Sequence, residues 1–267
     1  MRQPVVAGKF YPGNPKELDK MVADFFRNAR ETEGSAWGII TPHAGYVFSG
    51  AAAARAFSAF GEQKFDILVL LGPNHTGYGG DVSMSDEPWE TLLGNLDVSS
   101  EMLEFMQKKG WKIDKAAHKF EHSLEVQLPF ILKKFEKTPK ILPICIREHD
   151  FEICRKLALD LFDYDTAHPD LNIGYVASSD FSHYLKPEIV KKRDMPAIDR
   201  ITDGDAEGFY QLVAEEGLTI CGVLPITVLL CLQEHKGGSA ELLCYTHSGE
   251  AYPMPDVVAY AAIGFYP

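Results

Sequence analysis

The sequence predicts an α/β fold, a single domain over residues 1–267 whose mostly parallel central sheet is flanked by helices. Short apolar runs of strand length alternate with segments of helical periodicity, which is the pattern of βα units. Residues 67–71 form an uninterrupted apolar run, which is typical of a central strand buried on both faces. No low-complexity linker and no short repeat divides the chain. Together these features indicate one layered domain.

The composition narrows the class of protein. Of the 267 residues, 46% are hydrophobic and 24% are charged, an ordinary globular balance. The net charge of -12, without a basic patch, argues against a nucleic-acid partner. The sequence contains neither an apolar run of about 20 residues nor an N-terminal apolar signal core. Five cysteines without close pairing do not suggest a disulfide framework. We therefore expect a reduced, cytoplasmic protein without a membrane partner.

The first elements are predicted from apolar patterning and capping residues. Residues 2–12 are too apolar for a solvated tail, and we expect them to be held against the body of the fold. Asn14 is a good helix N-cap and Pro15 suits the first turn. The apolar residues that follow at helical spacing are Leu18, Met21, Val22, Phe25, Phe26 and Ala29. This stripe predicts a first helix packed against the core.

A strand, a helix and a second strand are expected next. Residues 37–40 form a short apolar run that ends before a proline, which predicts a buried strand. Ser49 can cap a second helix that runs to Phe60 and ends at Gly61. The run at 67–71 is then the second strand.

The remainder of the chain continues the alternation of helices and strands. Residues 76–97 are rich in Gly, Ser and Asp and predict a loop region with short strands. Helices are expected at about 100–109, at 150–163, 187–201, 205–216 and 223–232, and another is expected to start within 121–129 and continue past Leu132, with Pro129 near its first turns. Further strands are expected at 141–145, 172–177, 241–246 and 256–265.

Three histidines follow predicted strands directly. His43 comes after the run at 37–40, His75 after the run at 67–71, and His183 after the strand at 172–177. The carboxyl ends of parallel strands share one edge of the sheet, where α/β proteins bind their ligands. A single loop histidine is more often structural than functional. Three in the same strand-end context predict a site.

Other potential ligands accompany these histidines. His122 follows Glu121, Asp180 lies before His183, and Cys221 precedes a helix whose N-terminus favours a thiolate. Neutral imidazoles with one anionic ligand suit a divalent transition metal. Three protein ligands leave positions open for substrate, as in catalytic sites. The spacing does not identify which of these side chains are ligands.

The remaining histidines and cysteines lack this strand-end context. We interpret one group as surface or packing residues: His118, His149, His168, His235 and His247. The other cysteines lie within apolar segments, where a buried, inert thiol is expected: Cys145, Cys154, Cys231 and Cys244.

Several motifs resemble those of one known family. They are Arg-Gln-Pro-Val-Val-Ala-Gly-Lys-Phe-Tyr-Pro at 2–12, Pro-His-Ala-Gly-Tyr at 42–46, Gly-Pro-Asn-His at 72–75, Glu-His-Ser-Leu-Glu-Val-Gln-Leu-Pro at 121–129, Ser-Ser-Asp-Phe-Ser-His-Tyr at 178–184 and Cys-Gly at 221–222. Together, in this order and over essentially the whole chain, they resemble the Memo-like family, whose microbial members are called AmmeMemoRadiSam system protein B.

The resemblance implies a fold similar to the class III extradiol dioxygenases, which use non-heme Fe(II) held by two histidines and a glutamate. The first two ligand positions match His43 and His75. The third position is Cys221 in place of a carboxylate. His183 matches the catalytic acid/base histidine of the dioxygenases. The resemblance places Asp180 and His122 in the lining of the same pocket.

The cysteine alters what the resemblance implies about chemistry. A thiolate at Cys221 favours softer ions such as Cu(I) or Zn and can itself be oxidised. The resemblance therefore implies the same fold and pocket for this chain, but it does not imply that this chain cleaves aromatic rings. Our leading hypothesis is a cytoplasmic, metal-dependent oxidoreductase with Fe(II), or alternatively Cu or Zn. His43, His75 and Cys221 would bind the metal, and His183 would act as acid/base, with Asp180 and His122 orienting substrate or ligands.

Three alternatives remain open. A non-catalytic module could hold a peptide or small anion in the glycine-containing loops near His43 and His75. A copper or iron chaperone could use Cys221 for Cu(I). A zinc hydrolase would need only two histidines, one cysteine and an open position. The resemblance also implies association with radical-SAM and AMMECR1-like proteins, and either a small molecule or a peptide could be the ligand.

Overall fold

The computed structural model describes residues 1–29, 35–147 and 150–267. The strands in these ranges are β1 (Gly38–Thr41), β2 (Ile67–Pro73), β3 (Val82–Met84), β4 (Trp89–Thr91), β5 (Gly94–Leu96), β6 (Lys112–Ile113), β7 (Lys140–Ile146), β8 (Ile173–Ser178), β9 (His183–Leu185), β10 (Ser239–His247) and β11 (Val257–Tyr266). Strands β4 and β5 form a separate hairpin, and the other strands form one mixed sheet.

The helices of the described ranges flank this sheet. They are α1 (Pro15–Asn28), α2 (Tyr46–Ser58), α3 (Ser100–Lys108), α4 (Leu128–Lys134), α5 (Phe151–Ala167), α6 (Pro187–Thr202), α7 (Ala206–Glu216), α8 (Val223–Lys236) and α9 (Ser248–Ala251). Two short 3-10 turns, Lys115–Ala117 and Glu125–Gln127, complete the helical segments, and the second leads directly into α4. None of the described helices is long and apolar enough to span a membrane.

The centre of the sheet is parallel. The strand order is β10-β11-β1-β8-β2-β7-β3-β6, and β9 pairs with β11. Strands β1, β8, β2 and β7 run parallel to one another, whereas β11 and β3 join this group antiparallel. The four central strands consequently end at the same edge of the sheet. This arrangement confirms the predicted α/β class with a mostly parallel central sheet.

Strand β2 shows why the central strands are apolar throughout. Val69 and Leu71 face one hydrophobic core, which includes residues of α5 and α8. Leu68 and Leu70 face the other core, which includes residues of α1, α2 and α4. All four side chains are fully buried. Burying each one stabilises the fold by roughly 1.5–3 kcal/mol, so both faces of the strand must be apolar.

The N-terminal segment is held against the body of the protein, as predicted. The backbone N–H of Arg2 donates to the carbonyl of Pro88 at 2.8 Å. The N–H groups of Val5 and Val6 donate to the buried carboxylate of Glu125. The first helix also begins as predicted, because the Asn14 side chain accepts hydrogen bonds from the first turn of α1.

One predicted helix start is wrong. Helix α2 begins at Tyr46 rather than after Ser49, because the Tyr46 N–H donates to the carbonyl of Phe10 and the chain turns into the helix there. Ser49 lies inside the helix, where its hydroxyl donates to the carbonyl of Ala44 at 3.0 Å. The helix expected to start within 121–129 begins with the 3-10 turn at 125–127 and continues as α4, since residues 121–124 form a loop at the strand ends.

Two further differences concern segment lengths. Helix α8 extends to Lys236, beyond the predicted end at 232. Residues 183–185, expected in a polar loop, form the short strand β9 through pairing with β11. Because that pairing joins segments distant in sequence, no local pattern in residues 183–185 predicts it.

Candidate metal centre

The carboxyl edge of the sheet brings the predicted strand-end residues together. His43 follows β1, His75 follows β2, and the loop before α4 adds His122. The ring centroids of His43 and His75 lie 5.1 Å apart, those of His43 and His122 lie 5.4 Å apart, and those of His75 and His122 lie 4.7 Å apart. Three imidazoles from three separate segments therefore share one pocket.

These three rings are close enough to bind a single ion. One ring nitrogen from each of His43, His75 and His122 lies within 4.8 Å of the other two. Among the described side chains, that tight group does not include Cys221. The Cys221 sulfur nevertheless lies 3.1 Å from Nε2 of His43. His43, His75 and His122 could therefore share a metal, and Cys221 is a further donor beside His43.

Hydrogen bonds around His43 fix which nitrogen faces the pocket. Nδ1 of His43 lies 2.9 Å from the Ser178 hydroxyl, which itself donates to the carbonyl of Ser123 at 2.7 Å. The Ser178 oxygen must then accept from Nδ1–H, which leaves the Nε2 lone pair directed at Cys221. Gln127 supports the same hydroxyl through its side-chain amide at 2.9 Å. Burial lowers the pKa of His43 well below its usual value, so the ring is a neutral ligand.

Glu121 lies behind the other two rings. Its Oε1 is 2.9 Å from Nδ1 of His75 and 3.3 Å from Nδ1 of His122. Burial opposes ionisation of Glu121, but its hydrogen bond with His75 and further N–H donors outweigh burial and lower its pKa to about 2. Burial lowers the pKa of His122 to about 4, although the charge of Glu121 acts in the opposite direction. Glu121 is therefore an anion beneath a neutral His122 ring.

Asp180 and Cys221 meet at the opposite side of the pocket. The buried Asp180 carboxylate accepts the backbone N–H of His43 at 2.8 Å, and burial raises its pKa to about 6. The Asp180 backbone N–H lies 3.1 Å from the Cys221 sulfur. Burial and the charge of Asp180 raise the pKa of the Cys221 thiol. The prediction that the N-terminus of α8 favours a thiolate is therefore wrong, and a bound cation would be needed to hold this sulfur ionised.

His183 lies at the rim of the pocket with its ring orientation fixed. Its Nδ1 is 2.7 Å from the carbonyl of Thr219, and its backbone N–H donates to the Thr219 hydroxyl at 2.8 Å. Because a carbonyl can only accept, Nδ1 carries the hydrogen and Nε2 is free. His183 is close enough for its charge to influence the pKa values of His43 and Asp180. All six predicted site residues are thus connected by contacts or charge effects at the carboxyl edge of the sheet.

Two supporting residues were not recognised from the sequence: Ser178 and Gln127 are fully buried polar side chains that brace His43. Glu121 was expected near the histidines, but its hydrogen bond to the His75 ring was not. The only available sequence signal was the position of Glu121 directly before His122, which does not indicate a contact with His75.

The residues predicted to be inert mostly lie where expected. His118 is buried, with Nε2 2.9 Å from the Ser83 carbonyl and Nδ1 3.4 Å from the Cys145 sulfur. Burial raises the pKa values of Cys145, Cys154, Cys231 and Cys244. His149 lies outside the described residues.

Comparison with known proteins assigns the chain to a family. The model of the Memo-like protein family matches residues 2–264. A MEMO1 family protein of Methanosarcina barkeri is 38% identical over 265 residues, covering 98% of this chain and 99% of the relative. A MEMO1 family protein of Methanosarcina mazei is 41% identical, with 98% of each chain covered. This chain is an α/β protein with a histidine cluster at the carboxyl edge of its sheet. It belongs to the Memo-like family.

One further relative and one solved structure are also similar to this chain. A MEMO1 family protein of Archaeoglobus fulgidus is 37% identical, covering 99% of each chain. The crystal structure of an uncharacterized protein, JW3007, from Escherichia coli K12 is 14% identical, with a TM-score of 0.43 over 73% of this chain and 84% of that chain.

Proposed function

We propose that this protein is a metal-dependent oxidoreductase whose ion is held at the carboxyl edge of the sheet. The observation that carries the proposal is the set of ring nitrogens of His43, His75 and His122 within 4.8 Å of one another. Cys221 supplies a further donor beside His43. Fe(II) is the proposed ion, with Cu or Zn as alternatives.

The chemistry of the donor set fits a divalent ion. The hydrogen bond from His43 to Ser178 and the carboxylate of Glu121 behind His75 leave an Nε2 lone pair on each ring. The half-buried Cys221 thiol would gain a favourable charge partner from a cation. Two histidines with one further protein ligand leave coordination positions open, and a bound Fe(II) would supply redox or Lewis-acid chemistry there.

The protein itself would supply proton transfer and orientation. The free Nε2 of His183 can accept or donate a proton at the rim, because the Thr219 carbonyl holds the ring by Nδ1. Asp180 holds the backbone of His43 in place. A small molecule or peptide would bind above these groups. Cytoplasmic location and association with radical-SAM and AMMECR1-like proteins belong to the same proposal.

Metal analysis of protein purified without oxygen tests the proposal. Wild type would be compared with His43→Ala, Cys221→Ser and His122→Ala. We expect near-stoichiometric iron in wild type and none in His43→Ala. Loss in Cys221→Ser but retention in His122→Ala would identify Cys221 as the third ligand, and the reverse would identify His122. No metal in any of the four proteins would overturn the proposal and favour a peptide- or anion-binding module.

Copper transport is the second candidate function. The sulfur of Cys221 lies against Nε2 of His43, and a sulfur-nitrogen pair suits Cu(I). A chaperone would bind copper far more tightly than iron and would release it rapidly to a competing chelator. Stoichiometric copper in the anaerobic preparation, with fast exchange, would favour this function over catalysis.

A further inference from the structure

The carboxylate of Glu121 accepts hydrogen bonds from N–H groups of the site loops. Oε1 accepts the backbone N–H groups of His122 and Ser123 at 2.9 Å each, and Oε2 accepts the His75 N–H at 2.6 Å. Oε1 also lies 2.9 Å from Nδ1 of His75 and 3.3 Å from Nδ1 of His122. The side chain is fully buried. It therefore joins the end of β2 to the loop before α4.

This geometry determines the tautomer of His75. An ionised carboxylate oxygen can only accept hydrogen bonds, so the Nδ1 atom of His75 that faces it carries the hydrogen and the lone pair lies on Nε2. The Nδ1 atom of His122 lies 3.3 Å from the same carboxylate oxygen in a charge contact without a hydrogen bond, and the carboxylate holds this residue by accepting its backbone N–H. The two rings are also stacked, with an interplanar angle of 26°. Their ring nitrogens are consequently close together at the site.

We propose that Glu121 is a positioning residue that orients the His75 ring for the metal and anchors the backbone of His122 beside it, an inference that rests on the proposed function. Carboxylates that accept the second N–H of a metal-binding histidine typically affect metal affinity by 10–100-fold. Removing the Glu121 carboxylate therefore affects the ion mainly through His75. Since it would not touch the ion, its contribution is through ring orientation and basicity.

A glutamine cannot replace this carboxylate. If the carbonyl oxygen of the amide occupied the Oε1 position, the NH2 group would face the His75 N–H that Oε2 now accepts at 2.6 Å. If the amide were reversed, the NH2 group would face Nδ1 of His75 and favour the opposite tautomer. Glu121→Gln therefore disturbs His75 in either orientation while changing the volume very little.

Glu125 provides a matched control on the same segment. It is equally buried, but its oxygens accept from Arg2, Val5, Val6 and Tyr11 and contact neither metal-site ring. Glu125→Gln therefore removes a buried carboxylate charge and loosens the N-terminal segment without removing a hydrogen bond to His75 or His122. A loss of affinity caused merely by general loosening of the loop would appear in both variants.

The experiment measures Co(II) affinity and ring tautomers in the full-length chain. Co(II) binding is followed by its absorption under anaerobic conditions, below the unfolding transition of each variant. Histidine ring 15N NMR of chelator-treated protein reports which nitrogen is protonated. We expect Glu121→Gln to weaken Co(II) binding about 10–100-fold and to change the 15N signals of the His75 ring. The Co(II) affinity of Glu125→Gln should stay within about twofold of the wild-type value. Glu121→Asp, which keeps the charge, is expected to fall between wild type and Glu121→Gln.

The outcomes separate this inference from the proposed function. Equal Co(II) affinities in wild type and Glu121→Gln would overturn the role of Glu121 and leave the metal site standing. Equal losses in both glutamine variants would also overturn it. If wild type bound no Co(II), the proposed function would fail. The 15N signals would then still show whether Glu121 determines the histidine tautomer. If Glu121→Gln does not fold, Glu121→Asp replaces it in both measurements.

Discussion

At the scale of single residues, burial keeps several histidines neutral. Desolvation lowers the pKa of His43 well below its usual value and the pKa values of His118 and His122 to about 4. For His43 and His122 this neutrality suits a role as metal ligands. His118 lies away from the three-ring cluster, so its effect appears in stability alone.

We expect His118 to make the protein acid-sensitive. Its pKa is about 6.5 in the unfolded chain and about 4 in the folded protein. Between these values only the unfolded chain binds the proton, so stability is complete above pH 6.5 and falls as the pH decreases toward 4. Protonation of His118 in the unfolded chain should lower the unfolding free energy by about 2 kcal/mol between pH 7 and pH 5. His118→Gln should abolish this part of the pH dependence.

Urea unfolding of chelator-treated wild type and His118→Gln at several pH values measures this difference. The chelator keeps metal linkage out of the comparison. Parallel pH dependences for the two proteins would show that His118 does not contribute.

Tyr184 has a strained backbone beside His183. It is the non-glycine residue with positive φ in the described ranges, at 58°, and its side chain is 79% exposed. Left-handed backbone costs most L-residues about 1 kcal/mol or more, whereas Asn tolerates it. Tyr184→Asn should therefore raise the unfolding free energy by about 1 kcal/mol. Tyr184→Ala keeps the backbone strain and should not stabilise the protein. Equal thermal unfolding temperatures for Tyr184→Asn and Tyr184→Ala would refute backbone strain as the cause of the stabilisation.

At the scale of elements, the N-terminal segment is attached to the loop that carries the site. The buried guanidinium of Arg2 donates to the carbonyls of His118 and Glu121 and to the carboxylate of Glu125. It also lies 4.1 Å above the Trp89 ring. The segment therefore supports the backbone on either side of Glu121.

Removing the Arg2 charge should destabilise the whole protein. Arg2→Met leaves the Glu125 carboxylate buried without its ionic partner, and breaking a buried pair in this way costs about 3–5 kcal/mol. Arg2→Lys keeps the charge but loses the fixed fork of donors, so it should be intermediate. Denaturant unfolding measures all three proteins. A lysine variant as stable as wild type would mean that charge alone suffices.

The same scale shows what sequence patterning could and could not predict. The uninterrupted run at β2 and the strand-end histidines follow from local rules, and each strand that was predicted is found close to its expected position. The start of α2 was wrong because it depends on the contact between Tyr46 and Phe10, which are distant in sequence. Likewise, Glu121 contacts a ring 46 positions away, so its function could be recognised only from coordinates.

At the scale of the whole molecule, metal binding should be linked to folding. A ligand that binds only the folded state at 100 times its dissociation constant adds about 2.7 kcal/mol of stability. For a chain of this size that corresponds to a rise in Tm of about 5–10 °C. Adding Fe(II) anaerobically to chelator-treated wild type should produce this shift, and His43→Ala should abolish it.

A histidine outside the pocket controls for nonspecific metal effects. His168 lies at the end of α5, where Nδ1 is 2.8 Å from the carbonyl of Tyr164. His168→Ala should keep the full Fe(II)-dependent shift in Tm. A shift that persists in His43→Ala would place the binding elsewhere on the protein.

The order of strands in the sheet has a consequence for the timing of metal uptake during biosynthesis. Strands β1 and β2, which lead to His43 and His75, are not neighbours, because β8 lies between them and pairs with both. A ribosome-bound chain that has not yet exposed residues 173–178 therefore cannot hold the two rings at their final spacing. Cys221 emerges later still. On the proposed function, ion capture at this site would occur only after most of the polypeptide has been made, and early translation products would remain without the ion.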